Sequence, residues 1–292
     1  MARARVHTNW SKSQLKVDLN PILKKYEDYL RYNGYRESSV LRYSHLVKIY
    51  IKKANSITPN SECAFKFREG LLKSNFRSST INLYGAALKQ FYRMQGEDIS
   101  FPFLPVDNKL SYYLSSDDII KILSVIKNLK HYCMICLSFY CLLRASDLVN
   151  LDDNDVDLKN LNLRIRGGKG GKDAIIPINP DCADLLRQYL EIRPKVVLED
   201  GSIPFFPTDY YNRWERRDLY RMFVGYKRKA GISIPGGTHL LRHAGATILL
   251  KNGADLLTVK TLLRHASIST TERYLHLTQE SIRQKYEKYL VL

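Results

Sequence analysis

Acidic residues are scarce in this 292-residue chain. Only 29 Asp+Glu stand against 46 Lys+Arg, a formal net charge of +17 with a pI near 9.6. A surplus of that size argues against a self-solvating acidic protein and favours a polyanionic partner, most often nucleic acid. Long apolar runs are missing as well. None reaches transmembrane length, and the opening MARARVHTNW lacks the apolar region of a signal peptide, so no membrane partner is expected. Cysteine is sparse. The five residues at 63, 133, 136, 141 and 182 form an odd set without framework spacing, which fits reduced thiols and a cytoplasmic protein rather than a disulfide scaffold. Cys133 and Cys136 have C-x-x-C spacing but lie in the apolar run HYCMICLSFYCLL with no second pair nearby, so they read as core rather than as a zinc or redox site. The P-loop string G-x-x-x-x-G-K-[ST] does not occur at the glycine-rich stretch, and no carboxylate cluster suits a two-metal site.

What is present is helical periodicity in two blocks. Hydrophobic content of 45% and charged content of 26% are ordinary for a globular protein, and the length allows one large domain or two ordinary ones. Residues 1–17 are basic and polar and read as a tail. NPILKKYEDYLRYNGY then sets apolar residues at 22, 23, 26, 29 and 30 and offers Gly34 as a stop. ESSVLRYSHLVKIYIKKA predicts a second helix, with Ser38 or Ser39 as cap and Val40, Leu41, Leu46, Val47 and Tyr50 as its apolar face. ECAFKFREGLLKS and RSSTINLYGAALKQFYRMQG predict two more. FPFLPVDN, residues 101–108, has two prolines and no helical period and is the linker candidate. The division predicted is a tail at 1–17, a helical domain at 18–103, a linker at 104–111 and a second domain at 112–292. The front block is the more basic per residue, with 18 Lys+Arg against 8 Asp+Glu up to Pro105, which suggests a module that grips DNA or RNA.

In the second block LSSDDIIKILSVIKN opens on a serine cap with acidic residues at the helix start, and an apolar helix spans 131–143 into LLRASDLVNL. LNLRIRG and DAIIPIN alternate apolar and polar residues around GGKGGK, which predicts a β-hairpin with a glycine-rich tip. Helices return at 180–193, 214–230, 238–252 and 255–264, and TQESIRQKYEKYL is a last amphipathic helix, placed at 278–292. The fold class is thus mainly α with a small antiparallel β-sheet.

Several side chains carry chemistry in this pattern. HLLRH follows PGGT, so Thr238 can cap a helix whose first turn projects His239 and Arg242 from one face. A helix N-terminus attracts anions, and an arginine fork there can grip two phosphate oxygens, although a solvated face is the commoner meaning of H-x-x-R. Arg144 sits at the end of an apolar helix and needs a partner. Asp147, three residues on, either simply pairs with it or holds it so that its other donors face a phosphate. Lys169 stands in GGKGGK, where glycines permit close approach to a ligand or merely make a turn. In LLRHASISTTERYLHL, His265 and Tyr274 flank a polar run that reads most plainly as a loop. A tyrosine hydroxyl can also be a covalent nucleophile when its target phosphodiester lies among arginines.

The order of these pieces resembles the tyrosine recombinase (phage integrase) family, in particular its two-domain Xer-like members, over nearly the whole chain. The resemblance implies an N-terminal four-helix core-binding (SAM-like) domain, carried by SSVLRYSHLVKIYIK and SSTINLYGAALKQFY, and a C-terminal catalytic domain. It implies that Tyr274 attacks a DNA phosphate to form a 3′-phosphotyrosyl bond and releases a 5′-hydroxyl. Arg144 and Arg242 would hold the non-bridging oxygens, Lys169 would protonate the leaving oxygen, His239 would assist proton transfer at the tyrosine, and His265 would hydrogen-bond the phosphate. No cofactor and no metal are implied. The partners implied are double-stranded DNA and further copies of the chain, as a tetramer on two DNA sites. The activity implied is site-specific recombination. The rivals are a type IB topoisomerase-like activity, which relaxation of plasmids lacking specific sites would reveal, and a non-catalytic DNA-binding relative, which is expected to lack catalytic residues. Three positions depart from the family's usual pattern: Leu142 and Arg264 where glycine is common, and Asp147 where glutamate is commoner. Arg264 reads either as an added DNA contact or as a clash with a tight turn. His243 reads as structural.

Overall fold

A computed structural model describes residues 18–106, 112–167, 173–265 and Thr271. Expectations for the 1–17 tail, for Lys169, for Tyr274 and for a helix at 278–292 lie outside the described residues. The chain divides into two units, residues 1–107 and 108–292. Among the described residues no helix is long and apolar enough to cross a membrane.

The first unit contains α1 (Asn20–Tyr32), α2 (Glu37–Ala54), α3 (Ser61–Lys73) and α4 (Ser78–Met94). The periodic apolar positions of α1 meet those of α2 and α4 in one core, with Tyr26, Leu30, Val47, Tyr50, Ile51, Phe91 and Tyr92 fully enclosed. Aromatic polar ends are satisfied inside it. The Tyr26 hydroxyl donates to the Ala87 carbonyl at 2.7 Å, and the Tyr50 and Tyr92 hydroxyls lie 2.7 Å apart. Two local expectations fail. α2 and α4 begin after Arg36 and Arg77, whose side chains provide no cap, and the expected serines fall inside the first turn. Leu41 is 56% exposed, outside the apolar stripe. The proline-containing stretch starts as part of this unit. The Asn82 side chain brackets Leu104, donating to its carbonyl at 2.8 Å and accepting its N–H at 2.9 Å, and the Arg68 guanidinium lies 5.2 Å from the Phe101 ring centre.

The second unit comprises α5 (Ser116–Ser124), α6 (Leu129–Tyr140), α7 (Ala145–Val149), β1 (Val156–Asp157), β2 (Asn162–Ile165), β3 (Ala174–Pro177), α8 (Pro180–Ile192), α9 (Arg216–Lys229), α10 (His239–Lys251) and α11 (Leu256–Leu263). Ser115 caps α5 as expected, in a reciprocal capping box with Asp118. The strands form one antiparallel sheet in the order β1-β2-β3, with Leu163 opposite Ile176. β1 was not expected, since two residues are too short for an alternation signal. The mainly helical class with a small antiparallel sheet is what the periodicity predicts. α6 runs through the middle. Cys133, Cys136 and Leu137 face the sheet and α8, whereas Ile135 meets Phe223, Leu240 and Ala244. A helix apolar on all sides is a buried helix. The thiols of Cys133 and Cys136 are core residues there, pushed up to about 12 by burial.

α6 ends earlier than its apolar pattern suggests. It stops at Tyr140, and Leu142 turns the chain with φ 50°. A side chain in this left-handed region costs about 1–2 kcal/mol. Packing compensates. Leu142 is buried among Ala246, Leu250, Val259 and Leu263 of α10 and α11. Gly245 makes the room, because a Cβ there would lie 2.4 Å from Leu142 Cδ2 and 2.7 Å from the Phe139 carbonyl oxygen. The second of these is backbone and cannot rotate away. Gly245→Ala is therefore expected to destabilise the chain by about 1–3 kcal/mol, the usual range for overpacking, measured by urea unfolding.

Candidate active site

Arg144 does not continue α6. It is the N-cap residue of α7, with ψ 153°, after the Leu142 turn. Its own N–H donates to Asp147 Oδ2 at 2.9 Å, and its carbonyl accepts from Asp147 N at 2.9 Å and Leu148 N at 3.2 Å. The guanidinium does not take Asp147 as its partner, contrary to the simple pairing considered from sequence. It reaches the carbonyls of Leu263 and Arg264, each at 3.3 Å. The Asp147 carboxylate instead holds the Arg264 guanidinium.

Arg242 lies one turn into α10 and is only 6% exposed. Its guanidinium donates to the carbonyls of Leu142 and Leu263. Both carbonyls follow from local structure. Leu142 O is freed by the end of α6, and Leu263 O belongs to the last turn of α11, where helical carbonyls lack partners. Two arginines, 119 and 21 positions from Leu263 in the chain, thus converge on one carbonyl oxygen. The helix C-terminus is also the negative end of the macrodipole, which suits cations.

α11 ends on Arg264, with φ 51° and ψ 45°. Its N–H bonds the Thr261 carbonyl at 2.9 Å, and the His265 N–H bonds Lys260 at 3.1 Å. The tight turn is kept without glycine, and Arg264 adopts it with its side chain buried against Asp147. His265 follows, half-buried, with Nδ1 3.0 Å from Thr271 Oγ1, itself fully enclosed. That contact orients the ring.

His239 opens α10. Thr238 holds the N-cap position but makes no side-chain cap, because its own backbone is already helical. Gly236, at φ 132°, lets the turn fold under the histidine: a Cβ there would stand 3.1 Å from His239 Nε2. Lys227 of α9 braces the same turn. It is 5% exposed and donates to the carbonyls of Ile234 and Gly236, the latter at 2.8 Å. Nothing in the sequence marked Lys227, which sits in the basic run YKRK beside solvated neighbours. The His239 ring reaches solvent, yet lost hydration, followed by the Lys227 charge, lowers its pKa below the usual imidazole value. His243 lies next along the helix, its ring centre 5.8 Å from that of His239.

The hairpin that leads to Lys169 is held at its base. Arg164 bonds Asp173 Oδ2 across the two strands at 2.6 and 2.9 Å, and Asp173 Oδ1 accepts the Gly167 N–H at 3.1 Å. Arg166 joins Asp152 and Asp155, and Arg213 bonds the other oxygen of Asp152 at 2.7 Å. Of the six candidate residues, four are described. Arg144, Arg242 and His265 gather at the end of α11, and His239 stands one helical turn before Arg242. Lys169 and Tyr274 lie outside the described residues.

Residues 112–281 match the phage integrase family. This chain belongs to that family. Two relatives named tyrosine recombinase XerA are similar over nearly their full length. The protein from Pyrococcus horikoshii is 30% identical over 285 residues, 95% of this chain and 96% of the relative. That from Thermococcus kodakarensis is 31% identical over 277 residues, 92% and 95% of the two chains. Among solved structures, the Tn1549 transposon integrase in complex with circular intermediate DNA has a TM-score of 0.73 at 20% identity, covering 91% of this chain and 99% of that one. This last likeness is one of fold.

Within this family member the electrostatics of His239 are open to measurement. A depressed imidazole pKa means that the unfolded chain binds the proton more readily. The stability contributed by neutral His239 is then present above the unfolded-state pKa and lost as the pH falls below it. In an NMR titration His239 is expected to protonate at lower pH than an unfolded-chain histidine. Lys227→Met, which removes the second cause, is expected to move the midpoint upward.

Proposed function

We propose that this phage integrase family member is a site-specific DNA recombinase that cleaves and rejoins duplex DNA through a 3′-phosphotyrosyl intermediate. The observation that carries the reading is the convergence of the Arg144 and Arg242 guanidiniums on the Leu263 carbonyl. Arg264 lies beside them, with Asp147 as the carboxylate within reach. Among the described residues, the guanidiniums of Arg144, Arg242 and Arg264 gather here with the Asp147 carboxylate, a set of donors that a phosphodiester complements. Family membership and the similarity to named recombinases support the same reading.

In this mechanism the Tyr274 oxygen attacks the scissile phosphorus as the bond to the 5′-oxygen breaks. Neutral His239 helps to take the tyrosine proton, and its lowered pKa keeps it in the accepting form near neutral pH. Arg144 and Arg242 neutralise the non-bridging oxygens, where charge grows in the transition state. His265 adds a hydrogen bond to them. Lys169 donates a proton to the departing 5′-oxygen, a poor leaving group otherwise. The phosphotyrosine conserves the phosphodiester energy, so a 5′-hydroxyl from the second duplex can reverse the step without ATP.

The basic helical domain at 18–103 adds phosphate contacts on the DNA, with the linker at 104–111 joining it to the catalytic domain at 112–292. The chain works in the cytoplasm as a tetramer on two sites. Affinity that rests on phosphate contacts falls steeply with added salt.

A nicked suicide substrate, which loses a short 5′-hydroxyl fragment on cleavage, tests the chemistry. Wild type is expected to form a covalent protein–DNA adduct in the presence of a chelator, and Tyr274→Phe none. Lys169→Ala is expected to cleave slowly, and a 5′-thio leaving group, which needs no proton, to restore its rate. An adduct with Tyr274→Phe would refute the nucleophile, and a slow Lys169→Ala reaction without thio rescue would refute the acid.

A further inference from the structure

The mechanism assigns no task to Arg264, yet this residue is costly to keep. It holds the left-handed region, φ 51°, where glycine is unstrained. Its guanidinium is drawn inside, with the side chain 9% exposed. Burial lowers its pKa, the Asp147 charge opposes that, and the nearby Arg144 charge lowers it further. Nε and Nη1 are buried with no hydrogen-bond partner among the described residues. A strained backbone, a desolvated charge and two unsatisfied donors all weigh against stability. What the residue does provide is its Nη2 contact with Asp147 Oδ2.

That contact joins two segments 117 positions apart. On one side, the same Asp147 oxygen accepts the Arg144 N–H and sets the start of α7. On the other, the pair grips the turn that ends α11. The carbonyls of this turn carry both phosphate-directed guanidiniums: Arg144 on Leu263 and Arg264, Arg242 on Leu263. His265 is the next residue. The turn is the common support of three candidate site residues, and the Arg264–Asp147 pair ties that support to α7. Leu142 and Arg264, the two residues standing where glycine is common in the family, both keep the left-handed geometry at φ 50° and 51°. Leu142 has its pocket against Gly245, and Arg264 has Asp147.

We propose that Arg264 is a positioning residue for strand cleavage: its ion pair with Asp147 locks the last turn of α11 to the start of α7 and so aims Arg144, Arg242 and His265 at one phosphate. The role rests on the recombinase reading above. A misplacement of about 1 Å in such groups is enough to slow a reaction by orders of magnitude.

Single-turnover cleavage of the nicked substrate by the full chain tests this, with DNA affinity and melting temperature measured on the same samples. Arg264→Gly fits the turn without strain, so the variant folds. It is expected to cleave about tenfold or more slowly, with DNA affinity within about threefold of wild type and a melting temperature no lower. Arg264→Lys, which keeps a charge for Asp147, is expected to recover part of the rate. Asp147→Asn retains an oxygen for the Arg144 N–H; it should slow wild type, and slow Arg264→Gly no further, because the two residues act as one unit. Cleavage by Arg264→Gly at the wild-type rate overturns the proposal, as do independent, multiplying effects of the two substitutions. A loss confined to DNA affinity and its salt dependence also overturns it, since Arg264 would then contact the DNA directly. A wild-type chain that forms no adduct overturns the recombinase reading and this role with it, an outcome distinct from the others.

Discussion

Both site arginines hang on the carbonyls that end one short helix. The last turn of α11 offers oxygens that no helical N–H can reach, and Arg144 and Arg242 take them from two different parts of the chain. Backbone acceptors of this kind hold a guanidinium in place without neutralising it. Both arginines are anchored by these carbonyls and remain cations that can meet an incoming anion. A carboxylate partner in the same place would have fixed the side chain and cancelled the charge. The Asp147 carboxylate nearby is engaged with Arg264 and with a backbone N–H.

The platform depends on close packing beneath it. Arg242 can reach Leu142 O only because α6 stops at Tyr140 and Leu142 reverses the chain. That reversal needs a left-handed leucine, and the leucine needs Gly245 to clear its side chain. The next requirement is α10 itself, whose entry turn is braced by buried Lys227 and whose first residue is His239. Each step is a local conformational choice, and together they set the two arginines and two histidines about α10 and α11.

Much of this was legible from residue order. The four front helices, the hairpin and the helices of the second unit follow from periodicity of 3.6 and of 2, and the Ser115 cap follows from its box with Asp118. The serines before α2 and α4 misled, because helix boundaries within one or two residues depend on where the chain enters, and Arg36 and Arg77 were the extended entry residues. Leu41 misled because a 3.6-residue stripe does not tell an edge position from a central one. At the site, residue identities were readable and their partners were not. Asp147 lies three residues from Arg144 and looked like a partner for its guanidinium; its carboxylate takes only the Arg144 backbone N–H, and the guanidinium it holds is that of Arg264, 117 residues away. Lys227 was hidden for a similar reason. Nothing local separates it from Arg228 and Lys229, and only the fold of the Ile234–Gly236 turn buries it.

The central claim is that Arg144 and Arg242 are held by backbone carbonyls as charged donors for the phosphate. Cleavage of DNA carrying a neutral methylphosphonate at the scissile position tests it most directly. If the arginines act on phosphate charge, Arg144→Ala and Arg242→Ala lose far less activity on the neutral linkage than on the natural phosphodiester. Equal losses on both linkages would contradict the account, because the arginines would then serve something other than the charge they are held to meet.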